Sequence, residues 1–149
     1  MGIWYNHVSE FNLVWVANRE HPFPNSFVVL TFNPDGNLVI SDGRLLHLLT
    51  NTSGGSDTYV RLLDTDNLIL TNTTIDVLWQ SIDYPTDTIL PRMKIKYTNY
   101  HPVLASWISG EDPAPGLLSM HVSSRKEVII MKGYEPYWSS PLIDHLGPS

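Results

Sequence analysis

The sequence predicts an all-β chain, and three observations carry that reading. Trp15, His47 and Trp79 stand 32 residues apart, each inside a short apolar run. A second pattern recurs between them, Asp35-Gly36-Asn37-Leu38-Val39-Ile40 and then Asp66-Asn67-Leu68-Ile69-Leu70. Short runs of Val, Ile, Leu, Thr and aromatic residues alternate with clusters of Gly, Pro, Asn, Asp and Ser, with little helical periodicity. A fixed period in this range marks a repeat architecture. A single hairpin cannot bury its own apolar face, whereas three around an axis can point Trp and Leu side chains at one another.

Taken in order, strands are expected near residues 2–6, 12–17, 27–32, 37–41, 45–49, 59–63, 67–71 and 76–80. Asn33-Pro34-Asp35-Gly36 is the strongest turn, because proline presets φ at the second position and Asp and Gly suit the next two. It makes 27–32 and 37–41 the arms of a hairpin. Asp64-Thr65-Asp66-Asn67 is expected to do the same one repeat later, without a glycine. His47 breaks the tryptophan pattern, and a buried histidine there needs a hydrogen-bond partner. Alternatively the register is shifted by one at this point, so that Asn51 matches Asn18.

Beyond about residue 90 the composition changes, with Pro91, Pro102, Pro113, Pro115, Pro136, Pro141 and Pro148 punctuating the remainder. Residues 106–116 read as a loop anchored by Trp107. Residues 117–122 and 127–131 read as a further antiparallel pair. Two domains are therefore expected, 1–90 and 91–149.

Composition narrows the function. Of 149 residues, 42% are apolar and 16% charged, which excludes wholesale disorder. The net charge of −6 and the lack of a basic run argue against a nucleic-acid partner. With no cysteine, disulfides, thiolate zinc and thiol catalysis are excluded. No apolar stretch approaches the roughly 20 residues that span a bilayer. The first residues carry no signal-peptide pattern. Strand character from Gly2 onward suggests a domain lacking its leading strands.

The order of motifs then matches a known family. Gly2-Ile3-Trp4-Tyr5, Val14-Trp15-Val16-Ala17-Asn18-Arg19-Glu20, Asp35-Gly36-Asn37-Leu38-Val39-Ile40, Leu62-Leu63-Asp64, Asn67-Leu68 and the run from Leu78-Trp79-Gln80-Ser81 through Asp83-Tyr84-Pro85-Thr86-Asp87 to Pro91 follow one another. The chain resembles the extracellular part of plant G-type lectin S-receptor-like serine/threonine kinases. Residues 1–90 are similar to the bulb-type, mannose-binding lectin domain. Ser106-Trp107, Asp112-Pro113-Ala114-Pro115-Gly116 and Tyr137-Trp138-Ser139 are similar to the start of the S-locus glycoprotein domain. The resemblance implies a β-prism of three four-stranded antiparallel sheets about a pseudo-threefold axis, and the 32-residue spacing independently suggests the threefold repeat. It implies an extracellular setting as part of a parent receptor, with any kinase activity elsewhere, and makes this chain a fragment or a truncated gene product.

It also implies a carbohydrate site. Bulb lectins bind mannose through Gln, Asp, Asn, Val and Tyr at alternate positions. A carboxylate accepts from two neighbouring hydroxyls, Asn donates and accepts, and Val contacts ring carbons. The first copy here reads Asn33, Asp35, Asn37, Val39, Ser41. The second reads Leu63, Thr65, Asn67, Ile69, Thr71 and is expected to be dead. The first copy is equally a good structural turn. Asn51-Thr52-Ser53 and Asn72-Thr73-Thr74 are N-glycosylation acceptor sequences in expected loops.

Catalytic readings have little support. His7, His21, His47, His101, His121 and His145 lack ligand spacing, so no metal site and no cofactor is expected. Asp83 and Asp87 could suggest paired carboxylates, but turn and capping roles are commoner for Asp beside Pro and Thr. Three readings stay open: a module recognising mannose-type glycans or a protein ligand, a dimerisation unit without sugar function, and a non-functional truncated product.

Overall fold

The computed structural model describes residues 1–5, 13–95, 97 and 103–141. His7, His101, His145 and the expected strand positions 6 and 12 lie outside the described residues. Twelve strands and one short 3-10 turn make up the regular structure there. The chain divides into two compact units, residues 1–84 and 85–149.

The first unit contains β1 (Gly2–Trp4), β2 (Leu13–Val16), β3 (Val29–Phe32), β4 (Leu38–Ser41), β5 (Leu46–Leu48), β6 (Thr58–Leu62), β7 (Leu68–Asn72) and β8 (Val77–Gln80). Among the described residues they form three antiparallel sheets, ordered β1-β2, β3-β4-β5 and β6-β7-β8, with two, three and three strands rather than the four each that the resemblance implies. The register reproduces the repeat: Ile3 lies opposite Trp15, Ile40 opposite His47, and Leu70 opposite Trp79. His47 is thus the structural counterpart of both tryptophans. A one-residue slip does exist, but after the histidine. Leu49 and Thr50 both donate backbone N–H to the Leu38 carbonyl, a bulge with two residues facing one.

The core of this unit is built on these rows. Leu38 and Ile40 are 1% exposed and Leu70 fully buried. Trp15 and Trp79 meet edge to face, centroids 6.0 Å apart at 67°, a favoured aromatic geometry. Trp15 Nε1 donates to the Tyr84 carbonyl at 2.8 Å, and the Tyr84 ring stacks on Trp79 at 5.5 Å.

One turn type recurs. In Asn33–Gly36, the Gly36 N–H donates to the Asn33 carbonyl at 3.0 Å and the Asn33 N–H to the Asn37 carbonyl at 2.9 Å, with Gly36 at φ +74°. The second repeat makes the same two bonds at Leu63–Asp66, one residue earlier than expected, with Asp66 at φ 62°. Asp tolerates this left-handed region better than most residues. At Gly36 nothing but glycine fits, because a Cβ would lie 1.7 Å from the Gly55 carbonyl oxygen.

The second unit is a four-stranded antiparallel sheet, β12-β11-β10-β9, from β9 (Leu104–Ser109), β10 (Asp112–Val122), β11 (Val128–Lys132) and β12 (Glu135–Ser139). The expected 117–122 and 127–131 pair is there as β10 and β11. Residues 106–116, expected as a loop, instead belong largely to β9 and β10. The prolines are accommodated because β10 pairs with β11 only from Leu118 onward and its pairing with β9 is interrupted by register shifts around Pro115. Proline is tolerated where no ladder N–H is needed. Gly116 allows the strands to close, since a Cβ would sit 2.2 Å from the Trp107 carbonyl oxygen.

Candidate functional site

The first-copy residues converge on the β3–β4 hairpin, but most of their polar atoms are engaged by the fold. Asn33 Oδ1 accepts the backbone N–H of Asp35 at 3.1 Å and of Asn37 at 2.8 Å, closing the turn from within. Asn37 is 4% exposed. Its Oδ1 accepts from the Thr50 hydroxyl at 3.1 Å, the Thr52 N–H at 2.7 Å and the Thr52 hydroxyl at 3.0 Å. Its Nδ2 donates to the Thr52 carbonyl at 3.0 Å. Ser41 Oγ donates to the Leu45 carbonyl and accepts the Gly43 N–H. Val39 is 3% exposed. Asp35 is exposed, and its carboxylate has no partner among the described residues.

The second copy repeats the anchor with different partners. Asn67 Oδ1 accepts from the Ser81 hydroxyl at 3.2 Å and the Ile82 N–H at 3.3 Å, and its Nδ2 donates to Gln80 Oε1 at 3.0 Å. Thr50 and Ser81 play one part in the two repeats: each hydroxyl accepts a β4 or β7 N–H, from Leu38 and Leu68 respectively, at 2.9 Å. Ile69 stands where Val39 stands and is also buried. Sequence reasoning missed these hydroxyl anchors. Their signal was a Thr or Ser 13 or 14 residues beyond each Asn, at Thr50 and Ser81.

Directly opposed residues share a sheet face. On the Val39 face of the first sheet lie Val29, Thr31, Leu46 and Leu48, of which Val29 is 61% and Leu46 66% exposed. On the Ile69 face of the second lie Tyr59, Arg61, Val77 and Gln80. The two faces therefore differ in chemistry although their backbones match.

The Asn51 sequence lies in a loop, as expected, whereas Asn72 is the last residue of β7 and only Thr73 and Thr74 stand in the turn beyond it. Asn51 is exposed. Asn72 is half-buried and closes its own turn as Asn33 does. Its Oδ1 accepts the N–H of Thr74 at 3.0 Å and of Asp76 at 2.9 Å, and the Thr74 hydroxyl at 2.8 Å. Its Nδ2 donates to Asp76 Oδ2 at 3.1 Å. The Thr74 hydroxyl, then the Asn72 amide, hold the Asp76 carboxyl below its ordinary range.

The remaining polar groups have local roles. Asp83 accepts from Gln80 Nε2 at 3.0 Å and Asp87 from the Thr86 hydroxyl at 3.2 Å. His121 Nε2 shares a hydrogen bond with the Ser119 hydroxyl at 2.9 Å. Among the described residues no three His, Asp or Glu side chains are grouped to hold a metal ion, and no helix is long and apolar enough to cross a membrane.

A threefold set of hairpins with a shared register and a central Trp15–Trp79 pair defines a bulb-lectin β-prism. The D-mannose binding lectin family model matches residues 12–108, and the chain belongs to that family. It is 35% identical over 144 residues to G-type lectin S-receptor-like serine/threonine-protein kinase B120 of Arabidopsis thaliana, covering 89% of this chain and 17% of that protein. It is 37% identical over 150 residues to RKS1 and 39% identical over 126 to SRK, two kinases of the same description and organism. These cover 93% and 78% of this chain, and 18% and 15% of the relatives. The chain thus spans less than a fifth of the length of these relatives.

Proposed function

We propose that this chain is a recognition segment from the outer face of a plant receptor-like kinase. In this reading residues 1–90 are the lectin domain and 91–149 begin an S-locus glycoprotein-like domain. Kinase activity belongs to other parts of the parent protein. The 35–39% identity to G-type lectin S-receptor-like kinases over most of this chain is the observation that carries it, and the lectin family match over residues 12–108 supports it.

Carbohydrate recognition, in this reading, centres on the first hairpin. Asp35 is the exposed acceptor for two adjacent hydroxyls of a mannose-type sugar. Asn33 contributes its Nδ2, since Oδ1 is spent on the turn. Asn37, Val39 and Ser41 shape the hairpin beneath. With one free carboxylate and few further donors, the affinity belongs in the millimolar range, about −4 kcal/mol. A glycan array of the secreted chain tests this. Binding that disappears in Asp35→Ala supports the site, and no binding at millimolar mannose sinks it.

A second reading is favoured by the exposed Val29, Leu46 and Leu48 beside that site. There the β3–β5 face contacts protein, a ligand or a second receptor, and no sugar is bound. In either case Asn51 and Asn72 carry N-linked glycans in plant-expressed protein. Mass spectrometry finding both asparagines bare would refute that assignment.

A further inference from the structure

We propose that His21 and His47 form a proton-sensitive clasp that loosens the first unit as pH falls from about 7 to about 5. The two rings stack with centroids 6.5 Å apart and planes 29° from parallel. His47 sits on β5 opposite Ile40, where the other repeats place a tryptophan. His21 follows β2 and is positioned by its backbone: its N–H donates to the Asn18 carbonyl at 3.2 Å, and its own carbonyl accepts from Asn18 Nδ2 at 3.2 Å. The stack therefore joins the segment after β2 to β5. That closes the first repeat onto the second at the one position where tryptophan is missing.

A stacked pair of neutral imidazoles is tolerated, but two adjacent imidazolium ions repel. His21 is exposed, so solvent screens its charge in part. His47 is half-buried, and burial, then the His21 charge, then the Met1 ammonium hold its pKa below the ordinary histidine value. Among the described residues, both charged groups acting on it are cationic. From β4 it faces the apolar Ile40. The sign follows directly. The folded state binds the His47 proton less readily than the unfolded chain does. The contribution of a neutral His47 is complete above the unfolded value of about 6.5 and declines as pH drops below it, until the lower folded value is passed.

The experiment is an NMR titration of the histidine rings in the whole chain, paired with thermal melts at two pH values. His47 is expected to titrate below about 6.5, and to move back toward that value in His21→Gln and in His21→Phe. His21→Phe retains a ring for stacking while removing the charge, so a purely packing role for His21 would leave its acid sensitivity intact. The wild-type melting temperature is expected to fall by roughly 3 °C or more between pH 7.5 and pH 5.5, and by clearly less in His21→Phe. A His47 titration at the ordinary value in the wild type overturns the proposal without any variant. So does a His47 titration that neither substitution moves.

Discussion

Asn37 in the β3–β5 sheet and Asn67 in the β6–β8 sheet are the same residue of the same repeat, yet they are held differently. Asn37 is locked by Thr50 and Thr52, including a backbone N–H at 2.7 Å. Asn67 uses Ser81 and the side chain of Gln80, which is itself tied to Asp83. In both, an asparagine that could face a sugar is turned inward to serve the hairpin. The difference lies on the opposed faces, Val29 with Leu46 and Leu48 in one, and Tyr59, Arg61 and Gln80 beside a single Val77 in the other. A repeat preserves its buried anchors because removing one partner strands the other, whereas outward residues are free to diverge.

The strongest way to break this comparison is at the asparagines. Asn37→Ala leaves the Thr52 N–H and the Thr50 and Thr52 hydroxyls short of an acceptor and is expected to cost about 3 kcal/mol in urea unfolding. Asn67→Ala, whose partner Gln80 can turn toward solvent, is expected to cost about 2 kcal/mol. Equal costs would show that the two anchors bear the same load.

The turns come next. Gly36→Ala is expected to lose about 2 kcal/mol or more, since its Cβ would meet the Gly55 carbonyl oxygen in addition to the left-handed backbone. The matching Asp66→Gly relieves a non-glycine φ of 62° but gives up the 2.7 Å bond from the Tyr5 hydroxyl to Asp66 Oδ2. Its net effect is expected to lie within about 0.5 kcal/mol of wild type. A large loss on Asp66→Gly would mean that the Tyr5 contact matters more than the turn.

One substitution should be a gain. Ile75 closes the Asn72 turn at φ 66°, a poor conformation for a β-branched residue, with its side chain 72% exposed. Ile75→Gly is expected to stabilise the chain by about 1 kcal/mol, measured by the shift in denaturant midpoint, and it leaves the Asn72 glycosylation sequence intact.

Much of the architecture was legible beforehand. The spacing of Trp15, His47 and Trp79 located three strands that occupy one register position, and Asn33-Pro34-Asp35-Gly36 located a hairpin, because turn chemistry and side-chain alternation are local properties. Residues 106–116 misled, since prolines read as a loop unless the unpaired side of the strand is known. The sugar-site pattern was legible as residue types only. Whether Asn37 points its amide outward or spends it on Thr52 depends on the backbone that Thr52 brings to it from beyond β5.

By itself, then, the sequence determined the period, the hairpin turns and the family, since each is written in residues close along the chain. The tertiary structure alone decided which polar groups remain available. Hydrogen bonds saturate: an amide oxygen taken by Thr50 and Thr52 is not free for a sugar, and only the folded chain brings those partners within about 3 Å. It also decided that His47, in a tryptophan's place, would find His21 as its neighbour.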